Sequence, residues 1–292
     1  MEIHLASMEN VSCWAFRKLM QGITDSYTGV FSMTYLVKRA KAWREIDTFK
    51  INGQRQWIQV ATSKEKECID FLKEIDERLK FEPEKNNVYG IQLNLSSPSP
   101  SIVKIGQGPA LIKRTQKVVS LINELLKQNR FKISIKTRLG LNENEVKEKR
   151  LVKLFQELKK INNPNFTEVV VHFKHAKQPS FAEYDFSMLK ELCQFNIPII
   201  INGGINNYND FNNIMQTLTP DERKNIKGLM IGREALRNPD CFVDISNILN
   251  KTALEKRSFE KINSDFKRLC EEHMPREIYL EKIKRLCSWC VS

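Results

Sequence analysis

The sequence contains no apolar run close to the roughly 20 residues that a helix needs to cross a bilayer. Its first residues, MEIHLASME, also lack the basic and then apolar layout of a signal peptide. The seven cysteines are odd in number and scattered, which indicates reduced thiols rather than a disulfide framework. We therefore expect a cytoplasmic protein without a membrane segment.

A metal-binding pattern is also missing. Cys287 and Cys290 have the spacing of a zinc-ligand pair, but no second pair lies nearby in the sequence to complete a tetrahedral site. We expect these two cysteines to lie on one face of a C-terminal helix, and we predict no metal centre.

The charge of the chain is strongly one-sided. Lysine and arginine number 47 against 35 aspartates and glutamates, which gives a formal net charge of +12. A basic surface attracts polyphosphates such as nucleic acid and steers their approach. A lysine-rich proteome would produce the same excess, so the charge supports a nucleic-acid partner only together with a motif.

Eight short apolar runs alternate with segments of helical spacing along most of the chain. Strand–helix alternation with nearly continuous Val, Ile and Leu strands predicts an α/β fold, a parallel (β/α)8 TIM barrel. We assign the barrel to residues 1–250 and a short helical extension to residues 251–292. The predicted strands are Ile3–Met8, Gly29–Tyr35, Trp57–Ala61, Val88–Leu95, Phe131–Thr137, Glu168–His172, Ile197–Asn202 and Gly228–Ile231.

Glycine and polar residues follow the predicted strands. In a barrel of this kind, the carboxyl ends of the strands meet at one edge, and active sites lie there. Asn202, Gly203 and Gly204 follow the seventh strand, and Gly232 and Arg233 follow the eighth. Glycine permits close backbone approach, main-chain amides at a helix start favour an anion, and arginine matches phosphate oxygens. These two segments predict a phosphate site.

The fourth strand ends in a motif that resembles the signature of the tRNA-dihydrouridine synthases. Residues 94–100 read Asn-Leu-Ser-Ser-Pro-Ser-Pro, and a Gly-Gln-Gly turn follows at residues 106–108. In members of that family the strand ends in Asn-x-Gly-Cys-Pro-x-Pro, and the cysteine donates a proton to the uracil base. Ser97 occupies the position of the cysteine. The resemblance implies an FMN-dependent oxidoreductase that acts on tRNA, with reduced nicotinamide (NADPH or NADH) as electron donor.

The same resemblance assigns roles to residues at other strand ends. It implies that Ser7 and Met8 lie against the flavin ring, that Gln59 lies at its polar edge and that Lys136 lies near its reactive end. His172-Phe173-Lys174 is similar to a family His-x-Arg motif. The implied cofactor residues are Ser7, Met8, Gln59, Lys136, His172, Asn202, Gly203, Gly204, Gly232 and Arg233. The implied substrate residues are Asn94, Arg138 and Lys174, with Ser97 as the catalytic position.

Three functions are compatible with this pattern. The first is a working tRNA-dihydrouridine synthase, slow or altered because a serine hydroxyl is a much weaker acid than a thiol. The second is a catalytically inactive homologue that binds FMN and RNA. The third is a flavoenzyme similar to dihydroorotate dehydrogenase, since that family also ends a strand with Asn-x-Ser-Cys-Pro and some members use serine. Only the opening part of a longer tRNA-binding helical domain fits in residues 251–292, and we expect a monomer.

Overall fold

A computed structural model of the chain describes residues 1–39, 42–43, 51–81 and 87–273. Eight parallel strands form a closed barrel in sequence order, with β1 paired to β8, as the sequence predicts. The strands are β1 Glu2–Leu5, β2 Asp25–Ser32, β3 Arg55–Ala61, β4 Val88–Leu95, β5 Lys132–Arg138, β6 Phe166–His172, β7 Ile199–Asn202 and β8 Ile226–Ile231. We call the edge formed by their C-terminal ends the carboxyl rim.

Helices lie between the strands and cover the outside of the barrel. Their apolar faces pack on outward-facing residues of the strands, so the main hydrophobic core lies between the sheet and the helices. The helices in the described part of the chain are α1 Trp14–Leu19, α2 Met33–Lys38, α3 Glu65–Phe81, α4 Pro100–Lys104, α5 Thr115–Leu126, α6 Glu143–Lys147, α7 Arg150–Leu158, α8 Leu189–Cys193, α9 Tyr208–Gln216, α10 Pro220–Arg223, α11 Arg233–Arg237, α12 Cys241–Asn250 and α13 Phe259–His273. A 3₁₀ turn spans Gly108–Leu111.

The second strand differs from its predicted position. The sequence predicts it at Gly29–Tyr35, whereas β2 runs over Asp25–Ser32 and a helix begins at Met33. Apolar runs are a poor guide here because the strand starts with two polar residues, Asp25 and Ser26, that are buried inside the barrel. Hydrophobicity patterns detect buried apolar residues and miss buried charges that have partners.

A network of charged and aromatic residues fills the amino-terminal end of the barrel. Asp25 accepts hydrogen bonds from Arg55 Nε at 2.9 Å and from Trp57 Nε1 at 2.8 Å. His4 lies 3.3 Å from the same carboxylate and bonds the Tyr27 hydroxyl at 2.8 Å. The rings of His4, Tyr27 and Trp57 are stacked, with centroids 5.8 and 5.7 Å apart. Paired charges and stacked rings therefore fill this end of the barrel.

One helix of the predicted helical extension, residues 251–292, lies within the described residues, which end at residue 273. The last barrel helix ends at Asn250, and α13 packs against α1 near the start of the chain. Ile262, Phe266 and Leu269 form its buried face at helical spacing. Cys287 and Cys290 lie outside the described residues, and the division at residue 250 stays a prediction. None of the described helices is long and apolar enough to span a bilayer.

Candidate active site

The carboxyl rim encloses a cavity of about 680 Å³. Cavities of roughly 300–1,000 Å³ are typical of small-molecule and cofactor sites. Residues from distant parts of the sequence meet there because all eight strand ends converge on this edge. The predicted site residues that line it are Ser7, Met8, Gln59, Asn94, Ser97, Lys136, Arg138, His172, Asn202, Gly203, Gly204, Gly232 and Arg233. Lys174 is not among the lining residues.

A chain of side-chain amides forms one part of the cavity floor. The Asn94 carbonyl oxygen accepts hydrogen bonds from the backbone amides of Ser96 and Ser97, at 2.9 and 2.8 Å. Its NH₂ group therefore faces Gln59 and donates to the Gln59 oxygen at 2.6 Å. Gln59 in turn donates to Gln92 at 2.6 Å. Because each amide fixes the orientation of the next, the Gln59 amide is held in one orientation at the cavity that it lines.

Ser97 lines the cavity and lies two residues after the end of β4. Asn94 binds its backbone amide, so the position of residue 97 is set by the main chain and not by its own side chain. Ser97 is partly exposed, and its hydroxyl makes no hydrogen bond within the described residues. It is therefore available to a ligand.

Two cations from β5 face the cavity. Lys136 is buried, and no described residue forms an ion pair or hydrogen bond with its amine. Burial, and secondarily the charge of Arg138, lowers the pKa of Lys136 to about 7. Arg138 donates from Nε to the Ser96 carbonyl at 2.7 Å, which ties β5 to the loop that carries Ser97. A buried cation without an acidic partner is costly unless an anion binds beside it.

Two buried polar atoms at the cavity have no partner among the described residues. They are the Ser7 hydroxyl oxygen and Nδ1 of His172. Burial, reinforced by the charges of Arg138 and Lys136, lowers the pKa of His172 to about 2, so its imidazole is neutral. Since buried polar groups in native proteins are almost always paired, both atoms indicate a ligand in the cavity.

The glycine segments after β7 and β8 form what we call the glycine cradle: the backbone amides of Gly203, Gly204 and Gly232, with the Arg233 guanidinium beside them. Gly203 and Gly204 have φ angles of +92° and +72°, in the left-handed region that favours glycine. No described group accepts a hydrogen bond from these three amides. Free amides that line one cavity, with an arginine next to them in the chain, are suited to bind phosphate.

The loop after β6 contains the predicted substrate residue Lys174 and three cavity residues that the sequence did not indicate. Lys174 is buried there, and its amine donates to the carbonyl oxygen of Ser180 at 2.9 Å. It therefore holds the loop rather than contacting the cavity. Ser180, Phe181 and Tyr184 of this loop line the cavity. They follow no motif, and only the fold brings them to the rim.

The described residues fit a flavin mononucleotide. The glycine cradle suits its phosphate, Gln59 offers a donor and an acceptor for a polar ring edge, and Lys136 offers a cation. The unpaired atoms of Ser7 and His172 supply further polar contacts. The cavity volume lies in the range for a cofactor of this size.

Comparison with known families gives an independent result. A family model for dihydrouridine synthases (Dus) matches residues 4–292. The tRNA-dihydrouridine(20) synthase of Schizosaccharomyces pombe is 28% identical over 163 residues, which cover 54% of this chain and 32% of the relative. A probable tRNA-dihydrouridine synthase of Helicobacter pylori strain 26695 is 30% identical over 170 residues, covering 56% of this chain and 47% of the relative. The matched segments span about a third to a half of these relatives.

Solved structures resemble the chain in fold. Morphinone reductase aligns with a TM-score of 0.54 and 9% identity, covering 91% of this chain and 88% of that one. A variant of NCR from Zymomonas mobilis aligns with a TM-score of 0.55 and 11% identity, covering 89% and 90%. At such low identity these similarities support the barrel architecture alone.

Proposed function

Because the chain belongs to the dihydrouridine synthase family, we propose that it is an FMN-dependent tRNA-dihydrouridine synthase that reduces uridine to 5,6-dihydrouridine in tRNA. The observation that carries this proposal is the cavity at the carboxyl rim, where the glycine cradle, Gln59 and Lys136 surround unpaired buried polar atoms. The basic net charge of +12 supports tRNA as the partner. We further propose NADPH or NADH as electron donor, a monomeric state and a cytoplasmic location.

The cofactor residues divide into two groups. The glycine cradle holds the phosphate, with Arg233 as its charge partner. Gln59 and Lys136 contact the ring, and Ser7 and Met8 lie against it. When bound, FMN supplies the hydride that reduces the uracil double bond. These residues orient the cofactor and place a positive charge where negative charge develops.

Ser97 is proposed to donate the proton that completes the reduction. Hydride is added to one carbon of the uracil double bond, and a proton must be added to its neighbour. The Ser97 hydroxyl is the unpaired donor at the position that the family uses for this step. Asn94 and Arg138, which fix and flank the Ser97 loop, are proposed to contact the substrate. A hydroxyl is a weak acid, so we expect slow turnover.

Lys136 gives this site a specific dependence on pH. A lysine with a pKa near 7 is protonated below that value and neutral above it. If its charge stabilises the transition state, single-turnover uridine reduction should decrease as pH rises beyond about 7. Arg138 and His172 do not titrate in this range, because burial lowers their pKa values to about 10 and about 2. The measurement is dihydrouridine formed by prereduced protein between pH 6 and 9.

The Lys136→Arg and Lys136→Met variants separate this effect from general pH sensitivity. Arginine stays charged throughout the range, so the Arg variant should lose the decrease. The Met variant should be slow at every pH. A decrease that persists unchanged in Lys136→Arg would contradict the assignment.

The function itself is tested by incubating the purified protein with FMN, NADPH and unmodified tRNA. We expect a yellow protein and dihydrouridine detected by mass spectrometry of the digested tRNA. Bound FMN and bound tRNA without any dihydrouridine would favour the inactive binding homologue. Oxidation of dihydroorotate without action on tRNA would favour the small-molecule flavoenzyme and refute the proposal.

A further inference from the structure

Tyr184 lies against two residues of the glycine cradle, Gly203 and Gly204, although no sequence motif marks it. Its ring stands so close to Gly203 that a Cβ atom there would come within 2.3 Å of the ring. The ring of His172 is edge-on to it at 5.6 Å, and the amine of Lys174 lies 4.3 Å from its centroid. Tyr184 thus contacts residues from the ends of β6 and β7.

The Tyr184 hydroxyl also reaches the end of β8. Arg233 donates a hydrogen bond from its terminal nitrogen to this hydroxyl oxygen, at 2.8 Å. A guanidinium can only donate, so the bond uses a lone pair of the oxygen and leaves the hydroxyl proton free. No described residue accepts that proton. The hydroxyl is therefore a donor held by Arg233, on a ring that lies against Gly203 and Gly204.

We propose that Tyr184 is a ligand of the phosphate in this site: its hydroxyl, oriented by Arg233, donates a hydrogen bond to a phosphate oxygen of the cofactor. This assignment rests on the proposed function, because it takes the phosphomonoester to be that of FMN. Tyr184, Arg233 and the cradle amides then bind the phosphate from three strand ends. Lys174 acts indirectly, by holding the loop and the ring in place.

Comparison of FMN with riboflavin tests the assignment, since riboflavin is the same flavin without the phosphate. Dissociation constants are measured by flavin fluorescence for the wild type, Tyr184→Phe, Tyr184→Ala and Arg233→Ala. Tyr184→Phe retains the ring and removes only the hydroxyl. Loss of a hydrogen bond to a charged group corresponds to a weakening of about 10-fold or more. We expect this weakening for FMN and no change for riboflavin. Arg233→Ala should also weaken FMN binding selectively.

Each other outcome overturns the assignment. Equal affinity of wild type and Tyr184→Phe for FMN would show that the hydroxyl does not bind phosphate. Equal weakening for FMN and riboflavin would show that the ring only packs against its neighbours. Tighter FMN binding by Tyr184→Ala would show that the ring obstructs the cradle. If the wild type binds neither flavin, the proposed cofactor fails and the role of Tyr184 fails with it. If it binds both flavins equally, only the phosphate site fails.

Discussion

Ser97→Cys is expected to raise the rate of uridine reduction by about 10²–10⁴-fold, the range for a positioned general acid. A thiol has a pKa of about 8.5 and gives up its proton far more readily than an alcohol. The exchange is conservative in shape, and the position of residue 97 is set by the bond from its backbone amide to Asn94. The measurement is single-turnover formation of dihydrouridine in tRNA by prereduced protein.

Ser99→Cys is the matched control for this experiment. Ser99 lies in the same loop, but its hydroxyl bonds Ser101 and it does not line the cavity. A thiol there should leave the rate unchanged. If Ser97→Cys is active and the wild type is not, the wild type is a homologue that binds FMN and tRNA but does not reduce uridine. Robust wild-type activity that survives Ser97→Ala would show that another group protonates the base and would contradict our assignment. Cys13 would be a poor substitute, because burial raises the pKa of its thiol and it does not line the cavity.

Asp25→Asn should lower the free energy of unfolding by about 3 kcal/mol, the lower end of the range for breaking a buried ion pair. The carboxylate is fully buried, pairs with Arg55 through two nitrogens and accepts the indole N–H of Trp57. The asparagine side chain has the shape of the aspartate side chain but no charge. Glu2 then remains as the ion-pair partner of Arg55 among the described residues. Urea unfolding followed by circular dichroism measures the change.

Asp221→Asn serves as the control, since the ion pair of Asp221 with Lys224 is exposed on both sides. Exposed pairs contribute little, so its unfolding curve should match that of the wild type.

The network around Asp25, Arg55 and Glu2 predicts a loss of stability in acid. Burial opposes ionisation of Glu2, but hydrogen bonds with His4 and Arg55 outweigh it and lower its pKa to about 2. Its contribution is complete above the ordinary pKa of 4.5 and is lost as pH falls towards 2. An unfolding midpoint for Asp25→Asn equal to that of the wild type would refute the role of the network.

The sequence predicted what depends on local patterns. β4 has the predicted bounds, Val88–Leu95, because an apolar run with a sharp serine-proline end leaves little ambiguity. The barrel follows from eightfold alternation, and most motif residues lie at the cavity because strand ends converge. Asp25 was missed because its buried charge is satisfied by partners far along the chain. Tyr184 was missed for a related reason, since its contacts with Gly203 and Arg233 exist only after folding.

Lys174 shows how a motif position can change its role. The resemblance suggested a substrate contact, whereas the buried amine binds loop carbonyls and faces the ring of Tyr184. A single sequence gives the residue type at such a position. It does not give the direction of a lysine side chain, which has a flexible four-carbon stem. The sequence therefore says least about the parts of this site that lie on loops without periodic patterns.

The closure of the barrel has a consequence for how the protein is made. β1 pairs with β8, and α13, near the end of the described chain, packs against α1. A growing chain on the ribosome cannot complete the sheet until its eighth strand emerges. Until then the first strand has an open edge, and the glycine cradle lacks Gly232 and Arg233. The proposed phosphate site is thus completed late in synthesis, together with the pairing of the first and eighth strands. If the proposed site binds flavin, flavin uptake by nascent chains would report on completed folding.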